Sequence, residues 1–203
     1  MFFRIASSLF FGAGMKRAAT SSSAGSSRRS KPGVVYLFKE LQNMERKMEY
    51  IVEADDNDIC LWTVGVSAGC LKDFGYDPLA KYLILWAQRM RQQPCIVFEI
   101  RFPTNYPDSV PFVRVVRPRF QFHTGHVTVG GSICTEMLTP SGWHPMTADA
   151  LMRSVLATLH EGEARIQFDP DMHCPFPNKD YSFEEAKEAF DRVARDHGWL
   201  KKR

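Results

Sequence analysis

The chain has 203 residues, 44% of them apolar and 24% charged, which fits one soluble globular domain with extensions, able to bury a core without covalent staples. Five irregularly spaced cysteines argue against a disulfide framework and fit a reducing compartment, the cytoplasm or nucleus, and no apolar run approaches the ~20 residues of a membrane-crossing helix. The net charge of +3 is split: residues 1–39 carry seven Lys/Arg and no acid, while residues 40–203 carry nineteen Lys/Arg against twenty-three Asp/Glu, a net of −4, which excludes a basic nucleic-acid-binding domain.

Residues 1–33 are Ser/Arg-rich and acid-free, and they predict a tail that packs no core. An unstructured tail, a mitochondrial targeting segment, a secretory signal and a start site at Met15 are the competing readings. Pro32-Gly33 ends the tail, and the folded domain is expected over 34–203. In VVYLFKELQNMERKM, Leu37, Leu41, Met44 and Met48 fall on one helical face, with Lys39, Arg46 and Lys47 on another. EYIVEA and LWTVGVS read as strands around the turn Asp55-Asp56-Asn57-Asp58. Asp77-Pro78 predicts an N-cap followed by proline at the first helical position, for a helix running to Gln93.

CIVFEIRF alternates, with Ile96, Phe98, Ile100 and Phe102 on one face, and FVRVVRP is a further strand with Phe112 and Val116 together. The segment from Arg119 to Pro145 has no long periodicity. Thr147 then caps a helix with the stripe Leu151, Val155, Leu159. Ser182 and Glu185 form a capping box ahead of Ala186, Ala189, Phe190 and Val193, and Gly198 stops that helix. This order predicts an α+β fold: an N-terminal helix, a four-stranded antiparallel meander with a helical insertion, a long active-site loop and two C-terminal helices.

The run GGSICTEMLTPSGWHP carries the chemistry. A cysteine is most often a buried small hydrophobe, and Cys60, Cys70 and Cys95 keep that reading. Zinc requires closely paired Cys/His ligands, and only His173-Cys174 with the distant Cys134 offers any, so no metal is expected. A papain-like protease needs a downstream histidine, whereas His123 and His126 lie upstream of Cys134. An unrelated thiol enzyme would need a small-molecule pocket that no motif announces. Cys134 stands in a long loop beside Gly130 and Gly131, where a bulky chain can approach the sulfur.

Three spaced motifs resemble the ubiquitin-conjugating enzymes. They are Phe102-Pro103-Thr104-Asn105-Tyr106-Pro107 with Val110-Pro111, Gly131-Ser132-Ile133-Cys134, and Trp143-His144-Pro145. The resemblance runs from about Val34 to Trp199. It is nearest the divergent Q-type branch, through Pro111 to Val116, the Gly-Gly before the cysteine, Met137-Leu138-Thr139, Ala164 to Phe168, and Gly198-Trp199. The helix expected over about 78–92 also fits that branch. The family's His-Pro-Asn motif is missing; Thr124, Gly125 and His126 stand in its place.

The resemblance implies a carrier that takes ubiquitin from an activating enzyme as a thioester on Cys134 and passes it to a substrate or ligase. ATP is used by the activating enzyme, so no cofactor is expected. His126, at the family asparagine's position, implies a donor to the oxyanion, a base, or a brace for the loop. Asp169 implies an acid that orients an incoming lysine. Lys39, Arg46 and Lys47 imply contact with the activating enzyme. Pro107, Asp108, His144, Pro145 and Met146 imply ligase contacts, although Asp108 stands where the family often carries an apolar residue. His123, Glu136, Asp171, His197 and Trp199 are candidate supports of the active site. The acceptor, lysine or hydroxyl, stays open. The alternative is an inactive variant of the same fold that binds ubiquitin or an adaptor, without nucleic acid or membrane as partner.

Overall fold

The computed structural model describes residues 32–47 and 49–199; Met48 and the tail with its targeting readings lie outside the described residues. Helix α1 spans Pro32–Lys47. The Pro32-Gly33 pair is therefore the first turn of a helix and not the end of the tail. Proline is tolerated there because the first N–H groups of a helix have no intrahelical acceptor. Leu37 and Met44 are fully buried, Leu41 packs on the core, and Lys39, Arg46 and Lys47 are exposed.

Strands β1 (Ile51–Ala54), β2 (Leu61–Ser67), β3 (Cys95–Arg101) and β4 (Phe112–Arg117) pair antiparallel in chain order, the expected meander. Two helices, not one, interrupt it. Helix α2 (Ala68–Asp73) begins directly at the end of β2, where Ser67 caps it by accepting from the Cys70 N–H at 3.1 Å. Six residues are too few for a periodicity to show in sequence. Helix α3 spans Asp77–Met90, with Tyr76 as N-cap and no side-chain cap bond. Asp77, expected to be the cap, is instead the first helical residue, where its charge suits the helix N-terminus. The helix stops at Arg91, which takes a left-handed conformation (φ 52°) short of Gln93.

β3 is buried on both faces. Ile96, Phe98 and Ile100 join Trp62, Val64, Val113 and Val115 in the main core, which continues into α1 and α4 (Ala148–Glu161). Cys95 and Val97 meet Val116 on the other side. That second face is covered by the segment leading to helix α5 (Phe183–Asp196), whose Phe183 and Phe190 pack edge-on against Phe112. Glu99 is consequently buried, held by Arg114 at 2.8 and 3.1 Å, and Arg114 also donates to the Tyr181 carbonyl at 2.9 Å.

The caps of the two C-terminal helices fall as expected. Thr147 accepts from the Ala150 N–H, and Leu151, Val155 and Leu159 are fully buried. The Ser182–Glu185 capping box is complete; Ala186 and Ala189 are buried, and Phe190 and Val193 are half-buried. Gly198 (φ 71°) ends α5, with the Trp199 N–H returning to Ala194 O at 2.8 Å. A further capping contact joins two elements: Glu40 of α1, buried, accepts from the Ala148 N–H at the start of α4 at 2.7 Å. No helix among the described residues is long and apolar enough to cross a membrane.

Candidate active site

Beyond β4 the chain returns as a short strip along that strand's free edge. The Val115 N–H donates to Gly131 O at 2.7 Å and the Ile133 N–H to Val113 O at 3.2 Å. Ser132 and Ile133 are fully buried, and Ser132 is tied to Thr128 through both side chain and backbone. Cys134 is the first residue past this strip, so a rigid sheet edge fixes where it emerges. Its N–H donates to the His126 carbonyl at 2.7 Å. A 3-10 turn over Glu136–Leu138 follows, closed by Thr139, whose hydroxyl donates to Glu136 O at 2.7 Å.

Cys134 is half-buried. Burial pushes its thiol above the ordinary range. The resting sulfur is therefore a neutral thiol at pH 7, and thiolate must be drawn from a small fraction. The other cysteines differ: Cys70, Cys95 and Cys174 are buried, and Cys60 is half-buried beside β2.

His126 sits in the left-handed region (φ 53°), between Gly125 (φ 64°) and the strip. Its carbonyl holds the Cys134 amide, and its exposed ring lies against Gly162 at the end of α4. Among the described residues the ring makes no hydrogen bond. The side-chain pattern of the sequence pointed to the ring; the contact with Cys134 is made by the main chain. Thr124, at the family's His position, and Gly162, which no motif marked, tie the same loop down: the Arg165 N–H donates to Thr124 Oγ1 at 3.1 Å, and the Gly125 N–H to Gly162 O at 2.6 Å.

Other expected site residues lie in separate settings. His123 (φ 59°) packs edge-on against Phe122, which stacks on His173 at 4.1 Å. Asp169 pairs with Arg89 of α3 at 2.6 Å, an exposed pair of little energetic weight. Asp171 organises its own loop, accepting from the His173 and Cys174 N–H groups and from Gln167 Nε2. His197 and Trp199 stack on each other beyond α5 at 4.7 Å. Among the described residues, no hydrogen bond, ion pair or ring contact ties any of these to Cys134. Glu136 is exposed two residues beyond it. No group of three or more His, Cys, Asp or Glu side chains is placed to hold a metal among the described residues.

The proline loop and the tryptophan corner are brought together. Trp143 Nε1 donates to Pro107 O at 2.8 Å, and the Tyr106 hydroxyl to Met146 O at 2.7 Å. Tyr106 is buried among Phe102, Trp143 and Tyr36, and that burial pushes its hydroxyl far up. Asp108, His144 and Pro145 are left exposed on one joined surface, with Pro107 and Met146 half-buried beneath them. On α1, Arg46 folds back onto Gln42 and Asn43, and Lys47 pairs with Asp149 of α4 at 2.6 Å. Of the three expected basic contacts, Lys39 is the one whose charge is unengaged among the described residues.

No family model matches the sequence. The human ubiquitin-conjugating enzyme E2 Q-like protein 1 is 32% identical over 171 residues, covering 80% of this chain and 96% of that protein. This chain belongs to the ubiquitin-conjugating enzyme family. Within the family it sides with the Q-type branch: human ubiquitin-conjugating enzyme E2 Q1 is 33% identical over 172 residues, although this chain spans 38% of that longer protein. Among solved structures, a ubiquitin-conjugating enzyme E2 from Plasmodium falciparum covers 61% of this chain and 95% of its own at 23% identity and a TM-score of 0.44. The assignment to the ubiquitin-conjugating enzymes rests on the sequence relatives and not on that superposition.

Proposed function

We propose that this ubiquitin-conjugating enzyme is an active carrier, with ubiquitin held as a thioester on Cys134. The observation that carries this reading is the emergence of Cys134 from a pinned sheet edge, its amide locked to the His126 carbonyl and its side chain only half-buried. In loading, Cys134 Sγ as thiolate attacks the C-terminal carbonyl of ubiquitin thioesterified to the activating enzyme. The new C–S bond forms, the old one breaks, and the proton given up by Cys134 ends on the released thiol. One activated ester replaces another, so the step needs no ATP on this chain. In discharge an acceptor nucleophile attacks the same carbonyl, the C–S bond breaks, and the departing Cys134 thiolate takes up the proton that the acceptor gives up.

The exposed surface of Asp108, His144 and Pro145 is the ligase face, and Lys39 with its neighbours on α1 faces the activating enzyme. The His126 ring acts at discharge, as a donor to the oxyanion. Asp169 must leave Arg89 before it can orient a lysine. Both lysine and hydroxyl acceptors are therefore to be offered.

The test is incubation with activating enzyme, ATP and ubiquitin, followed by non-reducing electrophoresis. A thiol-sensitive adduct of one ubiquitin mass is expected for the wild type and none for Cys134→Ala. His126→Ala should load normally and discharge more slowly; equal discharge rates would remove the ring's role. No wild-type adduct would leave a non-catalytic ubiquitin-binding protein.

A further inference from the structure

We propose that Gly162, the C-cap of α4, is the positioning residue for Cys134, an inference that rests on the carrier reading above and extends it. The backbone at Gly162 does not itself call for glycine, since its φ of −80° is open to any residue. Its neighbours do. A Cβ placed there would meet His126 Cδ2 at 2.7 Å and the main chain of Gly125 at 2.9 and 3.0 Å.

The bare Gly162 therefore lets two things happen at the end of α4. The Gly125 N–H reaches Gly162 O at 2.6 Å, and the His126 ring lies over the helix end. Gly125 is fixed from the other side as well, because a Cβ on it would meet Ala164 Cβ at 2.5 Å, and its φ of 64° suits glycine. Only with the loop pressed down in this way does the next carbonyl, that of His126, meet the Cys134 N–H. The main core anchors Leu159 of α4, so the line runs from core to helix end, to Gly125-His126, to the nucleophile. Where the family carries His-Pro-Asn, this chain secures its loop by main-chain docking onto a glycine.

The experiment uses the full-length chain with Gly162→Ala, His126→Ala and the double variant. The hydrogen bond to the His126 carbonyl should protect the wild-type Cys134 amide from exchange, and Gly162→Ala is expected to lower that protection about tenfold or more. In loading from charged activating enzyme, kcat should fall about tenfold with KM unchanged, since a small misplacement costs rate while the α1 face stays intact. His126→Ala keeps the carbonyl and removes only the ring, so the Cys134 amide should stay protected, whereas in the double variant the new Cβ still meets the Gly125 main chain and protection should stay low. Wild-type exchange and loading in Gly162→Ala, or a double variant as well protected as His126→Ala alone, overturns the proposal. Should Gly162→Ala fail to melt cooperatively, Thr124→Val removes the acceptor for the Arg165 N–H on the same loop and should lower Cys134 protection; unchanged protection overturns it. A wild type that takes no ubiquitin would refute the carrier reading, while amide exchange would still decide the role of Gly162.

Discussion

Cys134 is a neutral thiol in the resting protein, because burial raises its pKa. Its alkylation rate should climb roughly tenfold per pH unit from pH 6 and not level off below about pH 8.5. A plateau near pH 7, read by mass spectrometry of iodoacetamide-treated protein, would show an activated thiolate instead. The sequence singled out this residue because a candidate nucleophile is a side chain and motifs are written in side chains. The same habit singled out the His126 ring and not its carbonyl, which makes the contact with the Cys134 N–H, and it passed over Gly162, which matters for having no side chain at all. Glu40 was equally hidden: no motif marks a lone carboxylate in a helix, yet it is buried on the Ala148 N–H. Glu40→Ala leaves that amide unpaired and should cost about 1–3 kcal/mol in urea unfolding.

Elements whose ends carry chemical signals were legible. Thr147 and the Ser182–Glu185 box mark α4 and α5 to the residue, and Ser182→Ala should cost about 1 kcal/mol. α2 was not legible, because one and a half turns hold no period. β3 was half legible: its alternation named the core face and Cys95 was read as buried, but the burial of Val97 and Glu99 depends on a segment some eighty residues later. That dependence makes a further prediction. Burial alone would raise the Glu99 carboxyl, yet hydrogen bonds and charge from Arg114, and then Arg101, hold it below the ordinary range. Arg114→Met strands a buried carboxylate and should cost ~3 kcal/mol in equilibrium unfolding, whereas Glu99→Leu with Arg114→Met should recover much of it. Equal losses in the two proteins would mean the ion pair is not what stabilises this face.

The pH response of the whole molecule follows from groups shifted in opposite directions. Glu99 and Asp149 face burial that raises them, but Arg114 and Arg101 in one case and Lys47 and Arg153 in the other bring them below their ordinary values. Folding favours their ionised forms, so their contribution is complete above about pH 4.5 and is lost as pH falls through the lowered folded values. Cys70 and Cys95 are pushed up by burial to about 11 and about 12. Folding favours their protonated forms, so that contribution is complete below about pH 8.5 and is lost as pH rises through 11 to 12. The melting temperature should be level between pH 6 and 8 and fall on both sides. Cys95→Ser should flatten the alkaline limb, and an alkaline limb unchanged in that variant would assign it elsewhere.

At this scale the sequence showed the meander, its helical insertion and the two closing helices, because alternation and capping survive in a linear text. How α1 and α4 meet through Glu40, and how the Thr124-Gly125-His126 loop docks on a helix end, are tertiary contacts that no local pattern records.

In the carrier proposed above, the sulfur of Cys134 is the atom to which ubiquitin is attached. Replacing that atom by oxygen tests this most directly. With activating enzyme, ATP and ubiquitin, the wild type should give an adduct cleaved by thiol. Cys134→Ser should give one that resists thiol and yields to mild alkali, as an oxygen ester must, and Cys134→Ala should give none. A thiol-sensitive adduct that persists in Cys134→Ser, or any adduct in Cys134→Ala, would place the attachment elsewhere and contradict the account.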